Sequence, residues 1–207
     1  MTDILARLDD RVRRVDEERW LSSRYAKVSQ RDALIVLYAF YYELARVRLA
    51  VSDPMLGQIR FQWWRDALEE LQRGEVRQHD VVIALSDQMA AGALAWQPLR
   101  DLIEPFEGAF AASDRALEPE AALAVIAADV CAPGHGLDRL IGAVAPDWAA
   151  SRRGEAATEH RKRSRVPSAS RPALAHFRLR HAWSQGKSLG RVQTRFSILA
   201  AVLTGAI

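Results

Sequence analysis

Cysteine, proline and glycine are scarce in this chain, and each shortage excludes a class of structure. The single cysteine, Cys131, excludes a disulfide framework and a metal site built from several cysteines. An isolated cysteine is typical of a reducing compartment, most simply the cytoplasm. The 207 residues contain only 8 Pro and 11 Gly against 35 Ala, which favours helices over a turn-rich β architecture.

Long hydrophobic runs and a basic leader are also missing. The longest uninterrupted apolar run, 33–42, has ten residues, about half of what a membrane-spanning helix needs. The first fourteen residues carry three Asp and do not match a secretory leader. With 49% hydrophobic and 27% charged residues, the composition is that of an ordinary folded protein. We therefore expect a cytoplasmic protein, with a peripheral position at the inner membrane as the alternative.

Charge is divided unevenly along the chain. Residues 1–150 contain 17 basic and 24 acidic side chains, whereas residues 151–207 contain 12 basic and only 2 acidic ones. A basic tail of this kind suits its own acidic body, an anionic membrane surface, nucleic acid or an acidic protein partner. Of these partners we expect the membrane surface or a protein, bound through 151–207, and no nucleic acid.

The spacing of apolar residues predicts an all-α chain. The apolar run 33–42 predicts a central buried helix, with Ser29 as its N-cap. Pro54 is expected in the first turn of the next helix. The predicted helices cover 3–23, 30–51, 55–72, 78–94, 96–110, 118–130, 137–150, 173–183 and 191–203. We divide the chain into a helical domain (1–150), a basic linker (151–172) and C-terminal helices that complete or flank the bundle (173–207).

General catalytic motifs are absent from the sequence. It contains no Gly-rich phosphate loop, no paired-His zinc motif and no nucleophile elbow. The five histidines are scattered, which favours surface or packing roles over metal ligation. Cys131, beside a turn, is expected to be a small buried residue rather than a nucleophile.

The most informative stretch is 37–68, LYAFYYELARVRLAVSDPMLGQIRFQWWRDAL. It resembles the squalene/phytoene synthase family, in particular a divergent branch with the pattern YAF-x-x-E-(L/I)-A-R-V-R…V-S-(D/E)-P-M-x-G-x-I-R-x-Q-W-W-R-D. The matching positions are 38–40, 43–48, 51–55, 57, 59–60 and 62–66. That branch includes proteins similar to the mitochondrial complex I assembly factor derived from this family. The resemblance is clear over 16–80 and returns weakly over 163–207.

The resemblance implies an isoprenoid-synthase-like helical bundle around a deep apolar cavity, in a single domain with a basic C-terminal extension. In the family's enzymes, two aspartate-rich motifs hold Mg²⁺ against prenyl diphosphates. Asp residues four apart share a helix face, and their hard oxygen ligands suit Mg²⁺ bridging phosphates. The resemblance places the first motif near Ala45 and Leu49, where this chain has no carboxylate and where Arg46 lies between them.

Three hypotheses follow from this departure. The chain is a non-catalytic or assembly-type family member that has lost Mg²⁺-dependent condensation, with no cofactor and no catalytic residues. Alternatively, it is an active prenyltransferase that binds diphosphate with arginines in place of the Asp-rich motif, and only then is Mg²⁺ a candidate cofactor. The third hypothesis is a plain interaction or membrane-surface module that acts through its basic tail.

The candidate pocket or diphosphate-facing residues lie on the two motif-bearing helices. They are Tyr38, Phe40, Tyr41, Tyr42, Glu43, Arg46, Arg48, Arg60, Trp63 and Trp64. A packed aromatic core explains the aromatic members equally well. A prenyl lipid or prenyl diphosphate is the small-molecule partner that the resemblance implies. We expect Glu43 and Arg46, three apart, to form a buried structural pair, so that Arg46→Ala would cost ~3–5 kcal/mol.

Overall fold

The computed structural model describes residues 2–114, 119–155 and 163–207. Within these ranges the fold is all-α, as predicted, and its only extended pairing is an antiparallel bridge between Arg165 and Ala206. The α-helices are α1 (Thr2–Val15), α2 (Glu17–Ser23), α3 (Val28–Ala50), α4 (Pro54–Gln72), α5 (Asp80–Ala90), α6 (Trp96–Asp101), α7 (Ile103–Ala111), α8 (Glu120–Cys131), α9 (Asp138–Arg152), α10 (Arg171–Leu174), α11 (Arg180–Trp183) and α12 (Arg191–Thr204). Short 3₁₀ helices cover Ser168–Ser170 and Ala175–Leu179.

Local chemistry explains where α4 begins and ends. The Asp53 side chain accepts a hydrogen bond from the backbone N–H of Leu56 (3.0 Å), and Pro54 occupies the first turn, where its missing N–H costs nothing. Gly74, with φ +82°, follows the last turn. The predicted helix 55–72 is therefore confirmed almost to the residue.

Several predicted boundaries were wrong, among them that of the helix 173–183, which is divided among α10, the 3₁₀ helix Ala175–Leu179 and α11. The first helix is interrupted at Asp16, whose side chain accepts from the Arg19 N–H (3.4 Å) and starts α2. α3 begins at Val28, which places Ser29 inside the helix rather than at its cap. The single helix predicted over 96–110 is divided into α6 and α7 at Leu102.

Contacts divide the chain into two compact units, each assembled from two segments. Unit 1 contains Met1–Arg11 and Ile35–Pro119, and unit 2 contains Val12–Leu34 and Glu120–Ile207. The boundaries predicted at 150 and 172 remain a prediction. Within the predicted linker, 156–162 lies outside the described residues, while Val166 and Ser170 are buried.

Unit 1 has an aromatic core. α4 packs against α5, α6 and α7, and its Trp64 meets Phe40 of α3 edge-on, with ring centroids 5.3 Å apart. The predicted central run 33–42 is buried over residues 33–41, as expected. Gly57 lies against Phe110, so that an added Cβ would fall 2.0 Å from that ring.

Unit 2 packs α8 on α9, and α12 on α2 and on the 3₁₀ helix Ala175–Leu179. Its largest fully buried side chains include Trp148, Phe177 and Arg180. Cys131, at the end of α8, is buried, and burial raises the pKa of its thiol to about 11. A thiol with so high a pKa is almost entirely protonated at neutral pH, which agrees with the structural role predicted for it.

Candidate functional site

Unit 1 contains a cavity of about 220 Å³ beside the two motif-bearing helices. It is lined by Glu43, Arg46, Val47, Arg60, Trp63, Trp64 and His79. Five of these seven were candidates from the sequence. Pockets for drug-sized ligands typically measure about 300–1,000 Å³. A cavity of this size therefore suits a small polar headgroup better than a complete prenyl chain.

Helical spacing explains why α3 and α4 each contribute one helix face to the cavity lining. Residues 43, 46 and 47 of α3 follow an i, i+3, i+4 pattern, and residues 60, 63 and 64 of α4 repeat it. Positions so spaced lie on one helix face. Each helix therefore supplies one basic residue to the cavity, Arg46 from α3 and Arg60 from α4.

An aromatic cluster forms the inner wall. Trp63 and Trp64 pack edge to face with ring centroids 4.9 Å apart, and His79 contacts them at 5.5 and 5.3 Å. His79 also caps α5, since its Nδ1 accepts from the backbone N–H of Val81 (3.3 Å). Sequence reasoning missed His79, which comes from a connecting segment outside the recognised motif.

Arg77 holds that connecting segment in place. Its guanidinium forks onto the Glu70 carboxylate, with one N–O distance of 2.8 Å, and lies over the Trp63 ring at 5.0 Å. The hydrogen bond from Arg77 lowers the pKa of Glu70. Nearby, Arg7 forks onto Asp80 at 2.8 and 2.9 Å, and this bond lowers the pKa of Asp80.

The cavity's one carboxylate is already engaged. Glu43 accepts from Arg11 of α1 at 2.6 Å and from Arg46 at 3.5 Å. The Glu43 side chain is 12% exposed, whereas that of Arg46 is 50% exposed. The expectation of a buried Glu43–Arg46 pair is therefore wrong, because the closer partner is Arg11 and Arg46 is half in solvent.

Arg60 completes the electrostatics of the cavity. It is exposed, and no carboxylate among the described residues forms an ion pair with it. Because Arg11 neutralises Glu43, the side chains of Arg46 and Arg60 leave the cavity with a positive balance. An anion is the ligand that such a balance favours.

The remaining sequence candidates lie outside the cavity lining. Phe40 and Tyr41 are core residues, and the Tyr41 ring meets Phe106 at 5.0 Å. The Arg48 guanidinium lies 5.8 Å from the same Phe106 ring. Tyr38 is also buried, and Tyr42 lies 6.0 Å beneath the Arg46 guanidinium.

The positions that the resemblance assigns to Mg²⁺ do not fit the ion. The side chains of Ala45 and Leu49 carry no oxygen, and Leu49 is 63% exposed. Mg²⁺ requires hard oxygen ligands in near-octahedral geometry. Among the described residues, no group of three His, Cys, Asp or Glu side chains is arranged to hold a metal ion.

Unit 2 contains a buried charged cluster that sequence reasoning did not find. Arg19 joins Glu120 and Asp16, and the side chains of Arg19 and Glu120 are 3% and 2% exposed. Burial alone would raise the pKa of Asp16, but the charges of Arg19 and Arg152 outweigh it and lower the pKa. No motif could have revealed Arg19 and Glu120, which lie 101 residues apart.

His176 lies beside this cluster. Burial, with the charge of Arg19, lowers the pKa of His176 well below its usual value. Its ring contacts Trp148 at 4.9 Å and Phe177 at 4.5 Å. The imidazole is therefore neutral and acts as a packing group, as the sequence predicted for its histidines.

A second, larger cavity of about 440 Å³ also lies in unit 2. Its charged lining residues are Glu18, Arg152 and Lys187, and Trp183 adds an aromatic wall. Burial, with repulsion from Asp16, raises the pKa of Glu18. Because both signs of charge face this cavity, it favours no single class of ligand.

In the part of the chain that the structure describes, every helix is too short or too polar to cross a membrane.

Comparison with known protein families gives a match to the motif-bearing part of the chain. The family model for squalene/phytoene synthases covers residues 12–125, more than half of the chain and all of the motif-bearing stretch. No curated protein and no solved structure matches the chain.

Proposed function

Because this chain belongs to the squalene/phytoene synthase family, we propose that it is a member that has lost Mg²⁺-dependent condensation of prenyl diphosphates and acts as a non-catalytic, assembly-type protein. The observation that carries this proposal is the chemistry of α3 beyond the Tyr38-Ala39-Phe40 motif. Ala45 and Leu49 replace the expected carboxylates, and a guanidinium lies between them.

The charges around the cavity support this proposal. Glu43 is the one carboxylate among the residues that line the cavity, and its two ion pairs, with Arg11 and Arg46, occupy the oxygen atoms that a metal would need. A divalent cation there would also be repelled by Arg46 and Arg60. Binding Mg²⁺ would therefore require breaking an ion pair without gaining a second carboxylate.

The first experiment measures Mg²⁺-dependent ligand binding. Titration of the protein with farnesyl or geranylgeranyl diphosphate in a calorimeter should give the same heat with Mg²⁺ and with EDTA. An active squalene synthase, run in parallel, supplies the positive control. A Mg²⁺-dependent signal at micromolar affinity, or squalene or phytoene in an extract assay, would contradict the proposal.

An assembly role is the finer part of the proposal, and its support is the resemblance of residues 37–68 to the family-derived complex I assembly factor. Cells that lack the chain should have less assembled complex I, measured as NADH oxidation in isolated membranes. Wild-type chain should restore this activity. Equal complex I activity with and without the chain would contradict the assembly role.

A second candidate function is diphosphate binding by arginine without metal. It is favoured by the meeting of Arg46 and Arg60 at one cavity, since guanidinium groups bind phosphate oxygens through two parallel hydrogen bonds. The cavity volume suits the diphosphate, with the prenyl chain extending outside.

This second function is tested in EDTA. Arg60→Gln should weaken binding of farnesyl diphosphate at least about tenfold, whereas Arg73→Gln, an exposed arginine at the end of the same helix, should not. Inorganic pyrophosphate should compete if the headgroup is what the cavity binds. Equal affinity in both variants would exclude the cavity as the diphosphate site.

A further inference from the structure

Helix α12 exposes a row of large apolar side chains. Val192, Phe196 and Leu203 are 65%, 66% and 69% exposed, and Leu199, between them in the row, is partly exposed. Their spacing of four, three and four residues places all four within a sector of about 60° on the helix. A contiguous exposed apolar surface commonly marks an interaction site.

The opposite side of α12 is firmly packed within unit 2. Ile198 and Ala201 are fully buried, and α12 contacts α2 and the 3₁₀ helix Ala175–Leu179. Arg171 donates hydrogen bonds to the carbonyls of Val202 (2.9 Å) and Leu203 (3.0 Å), which fix the last turn. The exposed row is therefore displayed by an anchored helix.

The charges next to the row are mainly positive, although the Arg195 guanidinium lies 4.0 Å from the Glu17 carboxylate of α2. Arg191 and Arg195 lie along one edge of it, and Lys187, just before the helix, is also exposed. Residues 163–207 contain eight Arg or Lys residues and no Asp or Glu. A surface that combines an apolar row with an excess of positive charge complements an anionic lipid headgroup layer.

We propose that α12 docks unit 2 on an anionic membrane surface, with its axis in the plane of the membrane. Val192, Phe196 and Leu203 enter the boundary between headgroups and acyl chains, while Arg191 and Arg195 bind lipid phosphates. The proposal locates on α12 the membrane contact that was expected for 151–207. It does not depend on whether the unit 1 cavity binds diphosphate.

Charge favours lipid over a protein partner as the occupant. A protein groove for this helix would need acidic residues at matched positions, whereas an anionic bilayer supplies negative charge at every position. Three exposed apolar side chains and a few basic ones give reversible binding rather than permanent anchoring.

The experiment is co-sedimentation of the full chain with vesicles. Vesicles of phosphatidylcholine with one quarter phosphatidylglycerol should bind the protein, and pure phosphatidylcholine vesicles should bind it much less. Adding salt should reduce binding, because exposed charges are screened over about 8–10 Å at physiological ionic strength.

Two variants locate the surface. Phe196→Asp should lower partitioning about tenfold or more, because it removes the largest side chain of the row. The matched control is Met55→Asp, at an equally exposed apolar position (70%) on α4 of unit 1, which should bind like the wild type. The double variant Arg191→Gln, Arg195→Gln should lower partitioning about 25-fold on anionic vesicles and little on neutral ones.

Four results would overturn the proposal. They are equal binding to neutral and anionic vesicles, wild-type binding by Phe196→Asp, an equal loss in Met55→Asp, and a fall in oligomeric state in Phe196→Asp without loss of vesicle binding. The last would show that a second protein molecule covers the row. Circular dichroism of each variant verifies that it remains folded.

Discussion

The two units of this protein both bury aromatic rings, but they place their ion pairs differently. Unit 1 packs aromatic rings inside and keeps its ion pairs near the surface, as in the Arg65–Glu107 pair, with side chains 22% and 32% exposed. Unit 2 places an ion pair, Arg19–Glu120, in its interior. This difference determines in which unit the loss of a single charged side chain should lower the stability most.

Physical chemistry assigns different costs to the two arrangements. An exposed ion pair contributes little because water solvates each partner once the other is gone. A buried pair adds little net stability when intact, but removing one partner leaves a charge without solvent or counter-ion. Unit 2 should therefore be the part of the molecule that is sensitive to charge-removing substitutions.

The largest expected effect is at Arg19. Arg19→Ala removes the guanidinium that joins the buried Glu120 to Asp16, while Arg152 still lies 3.7 Å from Asp16, and should lower the free energy of unfolding by ~3–5 kcal/mol. The control, Arg65→Ala in unit 1, should cost at most ~1 kcal/mol. Urea unfolding followed by circular dichroism measures both, and equal losses would contradict the comparison.

A double variant sharpens this test. Arg19→Met with Glu120→Leu replaces the buried pair by apolar groups of similar size, so its loss should be smaller than that of Arg19→Ala. If the double variant were as unstable as the single one, the packing of the arginine side chain, and not the uncompensated charge, would explain the cost.

The second effect tests close packing in unit 1. A Cβ at position 57 would fall 2.0 Å from the Phe110 ring, so Gly57→Ala should displace that ring and cost ~1–3 kcal/mol. Phe110→Leu in the same chain should recover part of the loss. Gly108→Ala, where a new Cβ meets no atom within 4 Å, is the control.

The third effect is a pH dependence that originates in unit 2. The pKa of His176 and, less strongly, that of His181 lie below the ordinary value of 6.5 because of burial and nearby arginines. Below pH 6.5 the unfolded chain takes up protons that the folded chain does not, so stability falls as the pH falls. From pH 7.5 to 5.5, His176 should account for a loss on the order of 1 kcal/mol in the free energy of unfolding.

Unfolding midpoints across that pH range give the measurement. His176→Phe keeps an aromatic ring beside Trp148 and removes the titrating group, so the variant should lose most of the pH dependence. An unchanged slope in this variant would assign the dependence to other groups.

The smallest effect distinguishes the partners of Glu43. Arg46 is half exposed, so Arg46→Ala should change stability by less than ~1 kcal/mol. Arg11→Ala removes the closer partner, whose side chain is 32% exposed, and should cost more than Arg46→Ala within the same range. Thermal unfolding of both variants measures this ranking. A larger loss of stability in Arg46→Ala than in Arg11→Ala would show that Arg46 is the main partner of Glu43.

The features of the fold that were predicted correctly from the sequence are those that neighbouring residues determine. The Asp53-Pro54 start of α4 and the buried run of α3 depend on neighbouring residues, and both were predicted. The break at Asp16 was missed because the apolar spacing suggested one continuous helix through it. The pairs Arg11–Glu43 and Arg19–Glu120 were missed because they join residues 32 and 101 positions apart.

The candidate site was predictable in part for the same reason. The family-like stretch supplied five of the lining residues as candidates, and their i, i+3, i+4 spacing places them on one face of each helix. That the two faces share one cavity, and that His79 joins them from a connecting segment, depends on tertiary packing.

The reactivity of the buried Cys131 can be used to measure transient opening of unit 2. It is the sole thiol of the chain, it lies in unit 2, and its raised pKa leaves almost no thiolate at neutral pH. A disulfide reagent such as dithionitrobenzoate should therefore react only when the end of α8 separates from its neighbours. The reaction rate would then time the transient opening of unit 2 in the native protein, without an introduced label.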